Sequence, residues 1–536
     1  MRVGSVAEKV VRLAPCPVLT YRTPSAKRWR LRRKRAREES AAPLSSRSPD
    51  VPSALPLSAA LLSLLTATPK APAPAATKDT GPSPQVAGQL VGAALTEGHA
   101  YARLAELTDG VGPRLSGSEG EAAAVQWARR AFEADGVKVW LEPVKVPRWV
   151  RGAESGRVLG SERFREHPLA LLALGGSVAT PAEGLTAEVL EVRSLEEVAA
   201  LGEKVKGKIV FFNHAMSEAA DYGKVAGLRT RGASVAGKAG AVATLVRSLA
   251  TASLRSPHTG AMRYEEGVPQ IPSAAVSVED AELLHRLLAR GPVKVELKLS
   301  NQTLPDADSF NVVAEVPGRE KPREVVLLGA HLDSWDVGTG AHDDGAGVTM
   351  VMEAARLIAK LKPAPRRTVR VVLFANEENG LRGGRAYAEA HAAELGNHVA
   401  ALEMDSGGGR PLGVVLRAGA GGDALVRPWL SPLEGLGAAS ILAGEAGGAD
   451  LSPLVPARVP FVGVRVDSSR YFDVHHSEAD TLDKVDPKDL ARSTAAVAWV
   501  AYVLAEVPGV LPRPEAPAEA PKAPAVPPAT PKTGAP

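Results

Sequence analysis

Two histidines and four aspartates crowd into the stretch AHLDSWDVGTGAHDDGAG, Ala330 to Gly347. Carboxylates at that density repel one another, so a positive partner is expected among them. Three more clusters follow: Asn376-Glu377-Glu378 in ANEENG, Asp405 in EMDSGG, and His475-His476 in HHSEADT. Each alone has an ordinary reading. An Asp at a strand end is more often a helix cap or turn residue, a Glu pair is usually a solvated face, and tandem histidines are often exposed.

The only cysteine, Cys16, lies far upstream, so a metal in the body of the chain must use His, Asp and Glu. Such donors suit Zn²⁺, with Mn²⁺ or Co²⁺ as alternatives. Several carboxylates with two or more imidazoles exceed one closed tetrahedral site. They can instead hold two ions, roughly 3.5–4 Å apart, that share a bridging ligand. One glutamate of ANEENG then binds while its neighbour serves as general base. A phosphate cradle is excluded, because GTGAHDDGAG lacks the lysine of GxxxxGK[ST] and the GxGxxG spacing. Ser334 and Ser406 lack the GxSxG elbow of a serine nucleophile.

The elements that must position these residues alternate. VVLLGAHLD, TVRVVLFAN, VAALEMD and VPFVGVRVD read as near-continuous apolar strands. GVTMVMEAARLIAKLK, LRGGRAYAEAHAAEL, DALVRPWLSPLEGLG and DPKDLARSTAAVAWVAYVLAEV read as helices between and after them. The fold class expected is α/β, a mostly parallel mixed sheet flanked by helices. In such sheets ligands bind beyond the carboxyl ends of the strands. His331 and Asp333 end the first strand, the ANEENG acids the second and Asp405 the third, and His475-His476 follow the fourth. Their convergence at one end favours a shared metal site. Upstream, QLVGAALTEGHAYARLAELTD and GSEGEAAAVQWARRAFEADG read as helices and VKVWLEPVKVP as a strand. A stretch from about Leu185 to Leu299 reads as a small α+β insertion.

The formal charge of +4 is misleading. Residues 1–50 hold 13 Lys and Arg against 4 Asp and Glu, whereas the rest of the chain holds 51 against 56. The body is mildly acidic, and the basic run Arg28–Arg37 lacks aromatic interleaving or a surrounding binding fold, so no nucleic-acid partner is expected. ALPLSAALLSLLTA, residues 54–67, is too short to span a bilayer but suits the apolar core of a signal peptide. Export, periplasmic or secreted, is expected without stable membrane insertion.

At these motifs the chain resembles the co-catalytic zinc aminopeptidase and carboxypeptidase superfamily, from about Leu107 to Val507. GPRLSGSEG, GAVATLVRSLATASLRSPHTG, VPQIPSAAVSVEDAE, the whole HLDSWDVGTGAHDDGAG stretch, ANEENG, EMDSGG and HHSEADT occur in the family's order. The resemblance implies a zinc exopeptidase of phosphorylase/hydrolase-like fold with two Zn²⁺ per chain, hydrolysing dipeptides or short peptides. His331 and Asp405 would hold one zinc, Glu378 and His476 the other, and Asp343 would bridge them. Glu377 would be the general base on the water between the ions, and Asp333 would orient His331. A cis peptide would join Asp343 to Asp344. His476 rather than His475 is the ligand because it stands four residues before Asp480, the family spacing; His475 takes the position of a donor to the tetrahedral oxyanion. His342 is not a ligand position, and Asp450 is a residue that orders the site or faces substrate. Asn376 stands where relatives often carry Ala or Thr.

The implied organisation is a basic leader, signal-like segment and Pro/Ala linker over 1–85, and the N-terminal part of the peptidase domain over 86–184. An inserted protease-associated-type domain covers 185–299, the main zinc peptidase domain 300–507, and a disordered Pro/Ala-rich tail 508–536. A homodimer is the assembly that relatives suggest. Two rival readings stand beside this one: a single-zinc glutaminyl-cyclase-like enzyme on the same fold, and a non-catalytic receptor-like binding protein.

Overall fold

The computed structural model describes residues 81–516 apart from Ser253 and Glu445. The basic leader, the signal-like segment at 54–67 and the tail beyond 516 lie outside the described residues, whereas 508–516, expected to be disordered, are held by Leu511 in the core and by Arg513 donating to the carbonyls of Leu395, Gly396 and His398. Three helices, α1 (Pro84–Thr96), α2 (Ala100–Gly110) and α3 (Glu119–Ala134), lead into strand β1 (Lys138–Val150). Next come β2 (Glu154–Val158), β3 (His167–Leu169), β4 (Leu171–Ala173), β5 (Leu185–Val192), α4 (Leu195–Leu201), β6 (Ile209–Phe212) and α5 (Tyr222–Lys238). β7 (Ala243–Arg247), β8 (Ser273–Val276), α6 (Val278–Leu288) and β9 (Lys294–Leu299) complete that stretch. The chain continues through β10 (Gln302–Val316), β11 (Lys321–His331), α7 (Ala346–Ala359), β12 (Arg367–Phe374), α8 (Arg382–Ala390) and β13 (His398–Glu403). It ends with β14 (Pro411–Arg417), α9 (Gly422–Val426), β15 (Phe461–Val466) and α10 (Pro487–Glu506).

Seven strands form the main sheet in the order β1-β10-β12-β11-β13-β15-β14. β12, β11, β13 and β15 run parallel at its centre, and the flanking pairs are antiparallel. Successive residues of the central strands enter opposite cores. Val326, Leu328, Val371 and Leu373 pack under α1, α2, α3, α7 and α10, while Leu327, Val372, Phe374 and Ala401 pack on the other face with Tyr387 and Leu454. Burial on both faces is why these strands read as continuous apolar runs. Among the described residues no helix is long and apolar enough to cross a membrane.

The second sheet has eight strands in the order β3-β2-β9-β5-β6-β7-β8-β4. It draws on residues from Glu154 onward, upstream of residue 185, because β2 and β4 pair with β9 and β8. At five and three residues, β2 and β4 are too short to carry a strand signal.

Two helices differ from expectation. QLVGAALTEGHAYARLAELTD forms α1 and α2, separated by the turn Glu97-Gly98-His99. DALVRPWLSPLEGLG is helical only over α9 and then tightens into 3₁₀ turns, because Pro428 and Pro432 cannot donate to an α-helical ladder.

Candidate metal centre

β11, β12, β13 and β15 all present their carboxyl ends to one cleft. β11 delivers His331 as its last residue, and the loop beyond β12 carries Glu377 and Glu378. Asp405 stands two residues past β13, and His475-His476 lie in the loop after β15. The cleft encloses about 380 Å³ and is lined by Asp343, Glu377, Glu378, Asp405, His475 and His476, among others.

Asp343 occupies the middle. Its Oδ1 is 3.1 Å from His331 Nε2, which also lies 3.6 Å from Asp405 Oδ1. Its Oδ2 is 3.2 Å from His476 Nε2, which lies 3.0 Å from Glu378 Oε2. Donor atoms of His331, Asp343 and Asp405 fall within 4.8 Å of one another, as do those of Asp343, His475 and His476. The His475 ring stacks on His476 at 3.5 Å between centroids, and its Nε2 is 3.6 Å from Asp343 Oδ2. Glu378 Oε2, at 3.0 Å, is the nearer carboxylate partner of His476, and its Oε1 is buried with no protein partner.

Both histidines ending in this cluster have their far nitrogen on a backbone carbonyl. His331 Nδ1 faces Asp333 O at 3.0 Å, and His476 Nδ1 faces Thr259 O at 3.3 Å. An N–H donated there leaves each Nε2 lone pair free as a ligand. Asp333 therefore aligns His331 through its carbonyl, not its carboxylate, whose Oδ1 is 3.8 Å away. The carboxylate instead accepts from the amides of Glu377 and Glu378 and from Ser116 Oγ at 2.9 Å. Asp480 accepts from the amides of His342 and Asp343, at 2.7 and 3.0 Å, and so fixes the loop that aims the central carboxylate. The Asp343–Asp344 peptide is cis, and Asn376 and His476 adopt left-handed backbone, φ 65° and 60°. For non-glycine residues that conformation costs roughly 1–2 kcal/mol each, borne by the surrounding contacts.

The electrostatics call for cations. Burial and the neighbouring Asp405, Glu378 and Asp343 push Glu377 well above the usual carboxylate range. Burial and Asp343 raise Glu378 to about 7. Burial also acts to raise Asp343, but hydrogen bonds with His331 and His476 outweigh it and hold its carboxyl well down. Burial acts to lower His476, yet Glu378 and Asp343 lift it to about 10. Positive charge among the carboxylates is thus favourable, and divalent ions supply it while sparing the imidazole lone pairs for coordination. The donor set of nitrogen and oxygen without sulfur fits zinc.

Other residues named from the sequence fall outside the donor cluster. His342 turns away, its Nε2 facing Lys484 O at 3.1 Å and its Nδ1 accepting from the Gly408 amide. Asp450 is fully buried beside Glu403 and does not line the cleft. Asn376 donates to Ser116 Oγ at 3.1 Å and to Asn379 Oδ1.

Several residues had no role from sequence. Arg114, fully buried in GPRLSGSEG, donates to the carbonyls of Leu332, Thr339 and Gly340, tying down the AHLDSWDVGTG loop. A lone arginine beside a Gly-Pro turn was its available signal. Thr259 and Arg229 come from the second-sheet unit, and no local spacing connects them to His476. That unit is fastened to the site. Trp335, 2% exposed, belongs to the second sheet's core, and a Cβ at Gly175 would meet its ring at 2.0 Å. Arg151 also binds Asp336 with two 2.7 Å hydrogen bonds and donates to Ala173 O.

Residues 311–501 match the description "Peptidase family M28". The chain is 42% identical to carboxypeptidase Q of Homo sapiens over 420 residues, covering 78% of this chain and 87% of that protein. Its fold is similar to the crystal structure of a peptidase M28 precursor from Shewanella amazonensis, with a TM-score of 0.78 and 42% identity, covering 80% of this chain and 98% of that one. A zinc aminopeptidase from Bacillus subtilis shares the fold, with a TM-score of 0.57 at 20% identity, over 76% of this chain and 95% of that one.

Proposed function

Because the chain belongs to peptidase family M28 and is a zinc metallopeptidase, we propose that it is an exported exopeptidase working with two zinc ions per chain. The observation that carries the reading is the division of Asp343: one oxygen serves a His331–Asp405 half, the other a His476–Glu378 half. A single-zinc enzyme has no need of that symmetry. His331, Asp405 and Asp343 would hold one ion, and His476, Glu378 and Asp343 the other. Zinc bound there supplies Lewis acidity and makes water a competent nucleophile near neutral pH.

The remaining chemistry belongs to the side chains. Glu377 lines the cleft beside the donor cluster without being needed as a ligand. The Asp333 carboxylate accepts from the amides of Glu377 and Glu378 and so fixes the backbone from which both carboxylates project. Glu377 takes the proton from the attacking water as the oxygen closes on the peptide carbonyl. It returns that proton to the leaving amine, so charge balances over the cycle. His475 donates an N–H to the carbonyl oxygen as negative charge develops on it. The signal-like segment at 54–67 supports export.

The Glu377→Gln substitution tests this. Zinc content should stay at the wild-type value while kcat on a dipeptide falls by about 10³-fold or more. Near-normal turnover would remove Glu377 from the mechanism.

A further inference from the structure

Arg229 is a charge with no counter-charge. It projects from α5 in the second-sheet unit, is 7% exposed, and lines the cleft. No carboxylate lies within ion-pair distance among the described residues. Its protein partners are neutral: Tyr222 Oη at 2.9 Å and Thr259 O at 3.5 Å, with the Tyr222 ring 5.6 Å beneath the cation. Nη1 also sits 3.4 Å from His476 Nδ1. With His476 ligating through Nε2, its Nδ1 carries a hydrogen directed at Thr259 O and has no lone pair to offer Arg229. Nε has no partner at all. Nε is closed in against Gly260, and Nη1 and Nη2 each keep one hydrogen beyond those given to Thr259 O and Tyr222 Oη.

Burying an unpaired cation is costly, by several kcal/mol in general. The chain nevertheless makes room for this one. A Cβ on Gly260 would lie 2.3 to 2.7 Å from the guanidinium atoms, so the arginine rests against bare backbone. Arg263, exposed at the rim of the same cleft, has no ion pair among the described residues either. Such an arginine matches a planar anion taken in two-pronged fashion, and a peptidase is presented with one on every substrate, the terminal carboxylate.

Position decides which bond is cut. Peptide chain advances by about 3.5 Å per residue, and Arg229 touches a side chain of the metal centre. A carboxylate held by Arg229 therefore belongs to the residue directly after the scissile bond. Resting on the function proposed above, we infer that Arg229 receives the free C-terminal carboxylate of the substrate. It sets the enzyme to remove a single C-terminal residue or to split dipeptides. Arg229 is a specificity determinant and takes no part in proton transfer.

The test compares glycyl-leucine with glycyl-leucine amide on the zinc-loaded full chain. Wild type should prefer the free acid by roughly 100-fold in kcat/KM, mainly through KM, and Arg229→Gln should bring the preference close to unity. Arg229→Lys should restore part of it, because charge survives but the two-pronged geometry does not. Zinc content and melting temperature report whether each variant is intact. Preference retained in Arg229→Gln, or an equal fall on both substrates, overturns the assignment and leaves Arg229 a structural support of His476. Calorimetry on zinc-loaded Glu377→Gln, with and without Arg229→Gln, reads the same preference in binding without turnover. Absence of hydrolysis thus counts against the proposed function, whereas equal binding of acid and amide by Glu377→Gln counts against Arg229.

Discussion

His331 and His476 present the same donor pattern from halves built in different ways. His331 closes β11, and the carbonyl that aligns its ring lies two residues further along the same chain segment. Its surroundings, Asp343, Asp405 and the loop pinned by Arg114, come from the main sheet and the turn before α3. His476 sits in a left-handed loop residue, and the carbonyl that aligns it belongs to Thr259, 217 positions away. Thr259 also donates its amide to His476 O, and Thr251 holds Asp473 and the Phe472 carbonyl nearby. One histidine is aligned by a carbonyl of its own chain segment. The other depends on a second sheet being docked correctly, so the carboxylate site proposed at Arg229 and the metal position proposed at His476 share one structural dependency.

Asp343 belongs to both halves, and its removal should have the largest effect. Asp343→Ala should abolish detectable peptide hydrolysis and release zinc from both positions, as read by elemental analysis. Retention of one tightly held ion would show the halves to be less equal than their shared bridge implies. Trp335→Ala strikes the docking itself by emptying the core between site loop and second sheet. A loss of about 3–5 kcal/mol is expected, checked by chemical denaturation. Arg151→Gln is milder. Losing the paired hydrogen bonds to Asp336 should cost about 2 kcal/mol. It should also weaken zinc at the His476 half by roughly 10-fold while sparing the His331 half, which titration with a chelator resolves. Equal weakening of both would show that the two halves depend on the second sheet alike.

How far the sequence foretold the two halves follows the same division. The central strands were legible because burial on both faces writes unbroken apolar runs, and their carboxyl ends collected His331, Glu377-Glu378 and Asp405 by simple topology. β10, the edge strand β14 and the short strands β2 to β4 carry no such signature, so the second sheet begins earlier than its texture suggested. Within the site, residue types pointed to donors but not to the groups that aim them. Asp333 acts through its carbonyl on His331 and through its carboxylate on the ANEENG amides, a split that no spacing reveals. Thr259 orients His476 by a backbone oxygen, which leaves no trace in side-chain identity. Arg229 lies in a helix of the other unit, and only the assembled cleft shows it to be unpaired.

The most direct measurement is the zinc content of the purified chain and two variants, taken alongside peptide hydrolysis. Two ions bridged by Asp343 predict two zinc per active wild-type chain and about one in each of His331→Ala and His476→Ala, both inactive. A fully active wild-type chain holding a single zinc, lost completely in either variant, would contradict the two-ion centre.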